Sequence, residues 1–236
     1  MEALYLEDSY LQNFEATVER VSDEKFVVLN HTAFYPNSGG QPHDLGVLVQ
    51  DEREFPLAYV GTFGGKISHE IETSGLETGD AVAGRIDWNR RYRFMRSHTA
   101  CHILSAMIFR ESNAKITGNQ IGEDKSRVDF SLKDFNREKM ANYVAMANQV
   151  IEENRSVNTK IISREEAMEM PDLIRLAKEV QDREEIRIVE IEGVDLQACG
   201  GTHVKSTREI GQIEMLKAQN KGKANRRVYF GLVDGD

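Results

Sequence analysis

The sequence predicts an α+β protein, with a β-barrel-like domain over residues 1–87 and a mixed α+β domain over residues 88–236. Three observations carry this expectation. Short apolar runs broken by Gly, Asp and Ser turns fill the first 86 or so residues, the spacing of a small barrel or curled sheet. At Asp87 the apolar period changes from two to that of a helix. Beyond that point helical and strand patterns mix without a βαβ rhythm, which argues for layered α+β packing and against a parallel sheet.

Taken in order, Phe14, Ala16 and Val18 alternate with charged residues, and Lys25–Leu29 is a short apolar strand. Further strands are expected at Gly46–Val49, Leu57–Val60, Lys66–Ile71 and Ala81–Ile86, with Gly64–Gly65 as a hairpin turn. Between them Thr32–Asp44 is a long loop with two prolines and a glycine pair. Such a loop is either a turn-rich connector or a flap over a ligand, since adjacent glycines let backbone approach a bound group closely. Composition alone favours the connector. From Asp87, a plausible N-cap, a helix runs to Arg110 with Phe94, His98, Cys101, His102, Ser105, Ile108 and Phe109 on one stripe and Trp88 as a core anchor. Ser126–Leu132 alternates as a half-buried strand, and Asn136–Asn154 is an amphipathic helix. Val157–Ile162 and Glu185–Ile191 read as strands, Ser163–Glu166 opens a short helix with a capping box, and Gly211–Lys217 and Arg227–Leu232 close the chain as strands.

The 236 residues are enough to bury a core without staples. No apolar run approaches membrane-spanning length and the acidic N-terminus is no signal peptide, so a cytoplasmic protein without a membrane partner is expected. Cys101 and Cys199 are the two cysteines, which excludes a disulfide framework and leaves metal binding or catalysis as uses for a thiol. The net charge of −9 argues against nucleic-acid coating. The basic residues are nevertheless clustered: Lys217, Lys221, Lys223, Arg226 and Arg227 in one run, and Arg85, Arg90, Arg91, Arg93 and Arg96 in another. Local basic patches on an acidic chain suit a limited nucleic-acid footprint; solvated surface is the equally weighted alternative.

His98 and His102 lie four apart in the helical pattern and so share a face, which suits two ligands on one ion but fills half a coordination sphere. Ligand types recur at the same spacing in Cys199-Gly200-Gly201-Thr202-His203. Either pair alone arises by chance. Together they make a three-nitrogen, one-sulfur set, zinc-like in softness and number, and one zinc ion per chain is expected. Thr99 follows the first histidine, so the helix-borne glutamate base of metalloproteases is absent. Four protein ligands suit a structural ion, whereas ligands roughly 100 residues apart suit a cleft, and spacing does not choose between them.

Three motifs in this order, Phe34-Tyr35-Pro36-x2-Gly39-Gly40-Gln41-x2-Asp44-x-Gly46, His98-Thr-Ala-Cys-His102 and Cys199-Gly-Gly-Thr-His203, resemble the editing domain of alanyl-tRNA synthetase. Without an aminoacylation part, the chain is similar to the free-standing AlaX editing family of medium length, and the resemblance covers nearly all of it. It implies a zinc-dependent deacylase, acting without ATP or a dinucleotide cofactor, on tRNA(Ala) mischarged with serine or glycine. It implies metal ligands at His98, His102, Cys199 and His203, and a glycine-rich loop at Gly39, Gly40 and Gln41 preceded by Thr32. Cys101 stands where many synthetase editing domains have threonine, so that residue's pocket role does not transfer. Thr117–Gln120 is similar to a pocket-lining turn before Asp129-Phe130. Thr32, Gln41, Asn119 and Gln120 are therefore the candidate catalytic-site residues, and Gly39, Gly40, Arg226 and Arg227 the candidate substrate contacts. A monomer is expected. The competing reading is a non-catalytic RNA-binding module in which a four-ligand zinc is structural.

Overall fold

The computed structural model describes residues 2–132, 136–170, 184–222 and 225–233; Lys223 of the basic run lies outside them. The chain forms two compact units, Met1–Met95 and Arg96–Asp236.

The first unit is built on a closed antiparallel barrel. Its strands follow β1 (Glu2–Ala3) and are β2 (Asn13–Ser22), β3 (Phe26–Leu29), β5 (Gly46–Gln50), β6 (Arg53–Phe63), β7 (Lys66–Ile71) and β8 (Ala81–Ile86), with β4 (His31–Thr32) pairing in parallel with β1. The barrel order is β2-β3-β7-β6-β5-β8. Period-two alternation sends Phe14, Ala16 and Val18 inward with Val27, Leu48, Leu57, Ile71 and Val82, residues of the strands the sequence marks, and with Phe55, which the longer β6 adds. Gly64 and Gly65, at φ +55° and +76°, make the tight hairpin turn between β6 and β7.

The loop Thr32–Asp44 is organised by one buried ion pair. Arg91 and Asp44 are both fully buried. The Arg91 guanidinium donates through Nε to both Asp44 oxygens at 2.9 and 3.0 Å, through Nη1 to the Ser9 carbonyl at 3.0 Å, and through Nη2 to the Ala33 carbonyl at 2.5 Å. Asp44 in turn accepts from the Tyr35 amide at 2.6 Å. Gly39 and Gly40, at φ +56° and +83°, form a tight turn closed by reciprocal backbone bonds between Ser38 and Gln41. A side chain at Gly46 would sit 2.1 Å from the Arg85 carbonyl, which accounts for the last glycine of the motif.

Two expectations for this stretch change. The second basic cluster is divided: Arg91 is core, Arg85 pairs with Glu54 at the surface, Arg90 lies over the Phe94 ring at 4.6 Å, and Arg93 is exposed. Trp88 is not a core anchor. It is half-exposed, with its ring 5.5 Å from that of Tyr92 and 5.6 Å from that of Tyr10.

Helix α1 (Trp88–Ser112) spans the division between the units. Asp87 caps it by accepting from the Arg90 amide. The expected single apolar stripe is too narrow: every residue from Ser97 to Ile108 is buried, so small and hydroxyl side chains fill the faces that a surface helix gives to charges.

The second unit contains a four-stranded antiparallel sheet in the order β14-β15-β10-β9 and a three-stranded one in the order β11-β12-β13. The strands are β9 (Ile116–Gln120), β10 (Ser126–Phe130), β11 (Val157–Ser163), β12 (Glu185–Ile191), β13 (Asp195–Ala198), β14 (Gln212–Asn220) and β15 (Arg226–Val233). Helix α2 (Arg137–Glu152), capped by Asn136, places Asn148 so that its amide both donates to and accepts from the Ile213 backbone on edge strand β14. Helix α3 (Arg164–Met168) has the expected Ser163–Glu166 capping box. Thr117–Gln120 is strand and not turn, and β13 carries no clear apolar alternation in the sequence.

Asp44→Ala strips the partner from a fully buried guanidinium and is expected to cost about 3–5 kcal/mol, read from urea unfolding of the full chain. A loss below about 1 kcal/mol would show that the pair does not anchor the loop.

Candidate metal centre

The burial of α1 sets the geometry of the site. His98 and His102, one turn apart, present their rings 5.3 Å from each other, and the His203 ring lies 4.4 Å from the first and 4.7 Å from the second. The Cys199 sulfur is 3.6 Å from His98 Nε2 and 3.3 Å from His203 Nε2. All four ligand atoms lie within 4.8 Å of one another. Around one ion, a nitrogen at ~2.1 Å and a sulfur at ~2.3 Å in tetrahedral array stand about 3.6 Å apart, so the donor set and its spacing fit a single first-row metal. The two sequence motifs therefore meet as expected.

The loop bearing Cys199 is fixed by β12. Arg187 donates through Nη1 to the Cys199 and Gly201 carbonyls at 2.8 and 2.9 Å, and the Gly201 amide donates to the Cys199 sulfur. Gly200 has open space where a side chain would begin. Behind the rings, His102 Nδ1 is 3.0 Å from Asp195 Oδ2, and His203 Nδ1 is 3.0 Å from the Thr99 hydroxyl oxygen, which also accepts from the Val204 amide. Neither Asp195 nor Thr99 is marked as a ring partner by motif spacing.

The electrostatics prepare ligands. Burial alone would raise the Cys199 thiol, but the His98 and His203 imidazoles and hydrogen bonds from His102 and His203 hold it well below its ordinary value, toward thiolate. Burial, reinforced by neighbouring His98, keeps His203 well below the usual imidazole range, hence neutral. Burial also works to lower His102, yet its bonds to Asp195 and Cys199 outweigh that and push it up to about 10. Without an ion, one proton is thus held on His102 against the thiolate. Cys101, by contrast, is pushed up to about 12 by burial and is inert packing.

A cavity of about 420 Å³ has Ser105, Phe109, Ile116, Val194, Asp195 and Gln197 among its walls; it reaches Asp195, the partner of His102, but none of the four ligand residues lines it. That volume suits a small ligand or the end of a larger one.

The remaining sequence candidates are placed as follows. Thr32 is fully buried in the first unit, where its hydroxyl oxygen lies 2.9 Å from His69 Nε2 and accepts from the Phe34 amide at 3.1 Å. Burial holds His69 down to about 4, so it is neutral; its Nδ1 donates to the Val27 carbonyl and its Nε2 accepts the Thr32 hydroxyl proton. Gln41 is buried, and Gly39 is exposed on its turn. Asn119 and Gln120 are neighbours in β9 and so face opposite sides: Asn119 pairs with core residue Val128, and Gln120 accepts from Arg127. Arg226 and Arg227 divide in the same way. Arg226 is buried and bonds Asn220 and the Gly222 and Asn225 carbonyls, while Arg227 grips Asp129 with two bonds of 2.7 Å.

Comparisons with known proteins agree with the arrangement. Residues 186–229, which include Cys199 and His203, match the model of the threonyl and alanyl tRNA synthetase second additional domain. Residues 5–90 match that of tRNA synthetases class II (A). The chain is 56% identical over 241 residues to the alanyl-tRNA editing protein AlaX-M of Methanosarcina barkeri, with 99% of each chain covered. It is 42% identical to the AlaX-M protein of Saccharolobus solfataricus, over 97% of this chain and 98% of that one. It is also 38% identical to the alanine–tRNA ligase of Pyrococcus furiosus, where 96% of this chain spans 25% of the ligase.

Chelator-treated protein exposed to iodoacetamide at neutral pH is expected to be modified at Cys199 and spared at Cys101, and bound metal should protect Cys199. Peptide mass spectrometry reads both sites; equal labelling of the two cysteines would refute the thiolate assignment.

Proposed function

Because the chain belongs to the family of AlaX-M alanyl-tRNA editing proteins, we propose that it is a trans-editing deacylase, hydrolysing the ester that links serine, and secondarily glycine, to tRNA(Ala). The observation that carries the reading is the four-ligand cluster, formed by the two motifs. Zinc is the metal that best matches one thiolate and three imidazoles, with one ion per chain. When bound, such an ion supplies Lewis acidity for polarising an ester carbonyl or lowering the pKa of a water. The reaction asks little more. An aminoacyl ester is already activated, and no nucleophile–base–acid array is needed to cleave it.

The chain's own residues do the positioning. Asp195 and Thr99 lie behind the His102 and His203 rings, and Arg187 fixes the loop that presents Cys199. The logic of a second site follows from the weakness of size discrimination. A pocket for alanine cannot exclude glycine by size and rejects serine by only about a hundredfold. A site that bonds the serine hydroxyl separates serine from alanine, because alanine leaves a buried polar group unpaired. The second reading, a non-catalytic RNA-binding module, draws on the four protein ligands, which can close a coordination sphere.

Purified protein with stoichiometric zinc is expected to deacylate seryl-tRNA(Ala), glycyl-tRNA(Ala) more slowly, and to spare alanyl-tRNA(Ala). His102→Ala should lose both zinc and activity. Parent protein that holds zinc and binds tRNA yet hydrolyses none of the three would establish the module instead.

Thr32 is the proposed source of serine selectivity. Its hydroxyl proton goes to His69 and one lone pair to the Phe34 amide, so what it can offer serine is the remaining lone pair, as an acceptor. Thr32→Val keeps the shape and removes that acceptor. It is expected to lower the seryl-to-alanyl rate ratio, and also to cost about 1–3 kcal/mol by leaving His69 and the Phe34 amide unpaired. A ratio that stayed at the parent value, on protein of matched zinc content and lowered Tm, would assign Thr32 to the barrel alone.

A further inference from the structure

The group behind His102 lies outside all three motifs. Asp195 opens β13 at the end of a tight turn after β12, and its side chain is 11% exposed. Three attachments fix it. The β12–β13 ladder pairs it directly with Ile191. The Gln197 amide donates to both of its oxygens, at 2.9 and 2.8 Å. Arg110, in the last turn of α1, donates at 2.8 Å to the carbonyls of Gly193 and Val194 just before it. The helix that carries His102 is thereby tied to the hairpin that carries its partner.

We propose that Asp195 is a positioning residue of the metal centre, holding the His102 ring so that Nε2, and no other atom of it, faces the ion. A carboxylate can only accept, so its 3.0 Å contact puts the ring proton on Nδ1 and leaves the Nε2 lone pair for coordination. The negative charge also strengthens the imidazole as a donor. A ring that could rotate about its Cβ–Cγ bond would offer either nitrogen, and metal binding would have to order it at an entropic cost. Asp195 removes that freedom in advance. The same carboxylate forms part of the wall of the 420 Å³ cavity, so a ligand entering there meets the residue that orients a metal ligand.

The inference rests on the reading of His98, His102, Cys199 and His203 as one zinc site, and its test separates the two. Full-length parent, Asp195→Ala and Asp195→Asn are stripped, reloaded and titrated with zinc against a chromogenic chelator, and the cobalt-substituted forms are compared by visible absorption. The parent is expected to bind one equivalent. Asp195→Ala should weaken binding by about 100-fold and shift the cobalt bands, and the isosteric Asp195→Asn, which can still accept through its carbonyl but has lost the charge, by about tenfold. The Tm of the metal-stripped proteins should stay together. If Asp195→Ala does not fold, the asparagine variant decides alone. Parent-like zinc affinity and an unchanged cobalt spectrum in Asp195→Asn would overturn the role of Asp195, whereas a parent that bound no zinc would overturn the metal site itself.

Discussion

The second unit is organised around three imidazoles and a thiol whose ligand atoms lie within 4.8 Å of one another, the Cys199 sulfur being 3.6 Å from His98 Nε2 and 3.3 Å from His203 Nε2. Four such groups could share one ion, and the contacts around them keep their lone pairs converging. Helix α1 is buried from Ser97 to Ile108 because two of the four ligands project from it and must leave water. The Cys199 loop is pinned through its carbonyls by Arg187, since its own sequence, with two glycines, has little stiffness.

The protein handles the cost of desolvating this cluster by a division of charge. The thiolate is the one anion among the four, stabilised by the imidazoles around it, and His102 carries the compensating proton while no ion is bound. A divalent ion taken up in exchange for that proton would raise the local charge by one unit. The barrel solves its own version of the problem with Arg91 and Asp44. There one guanidinium makes five hydrogen bonds to a carboxylate and two carbonyls, and the loop of the first motif is held by side-chain chemistry where no strand ladder reaches it.

The sequence declares what is periodic or what is chemically exceptional. The barrel strands were legible where inward and outward positions alternate, as in β2 and β8, and the His/Cys cluster was legible because two pairs of ligand-type residues recur at a spacing of four. What stayed hidden is long-range and pairwise. Nothing in the order of residues links Asp195 to His102 or Asp44 to Arg91, since each contact is made by a tertiary closure over dozens of residues. The basic run Arg85–Arg96 looked like a surface for the same reason: charge in a sequence does not show which arginine has a carboxylate waiting in the core.

The two arginines at the start of β15 make the limit concrete. Read as a list, Arg226 and Arg227 are one basic patch, and Asn119 and Gln120 one polar pair. Once the segments are strands, neighbours in sequence are on opposite faces, and each pair splits into a member packed inward and a member turned outward. The inward Arg226 spends its guanidinium on the turn between β14 and β15, and the outward Arg227 shares Asp129 with Arg127. Two arginines thus share one carboxylate there, and Glu123, Asp124, Lys125 and Lys221 are exposed on the turns nearby. Which side chains share a face is therefore defined by register across β9, β10 and β15, and a cluster of adjacent letters is a poor guide to it.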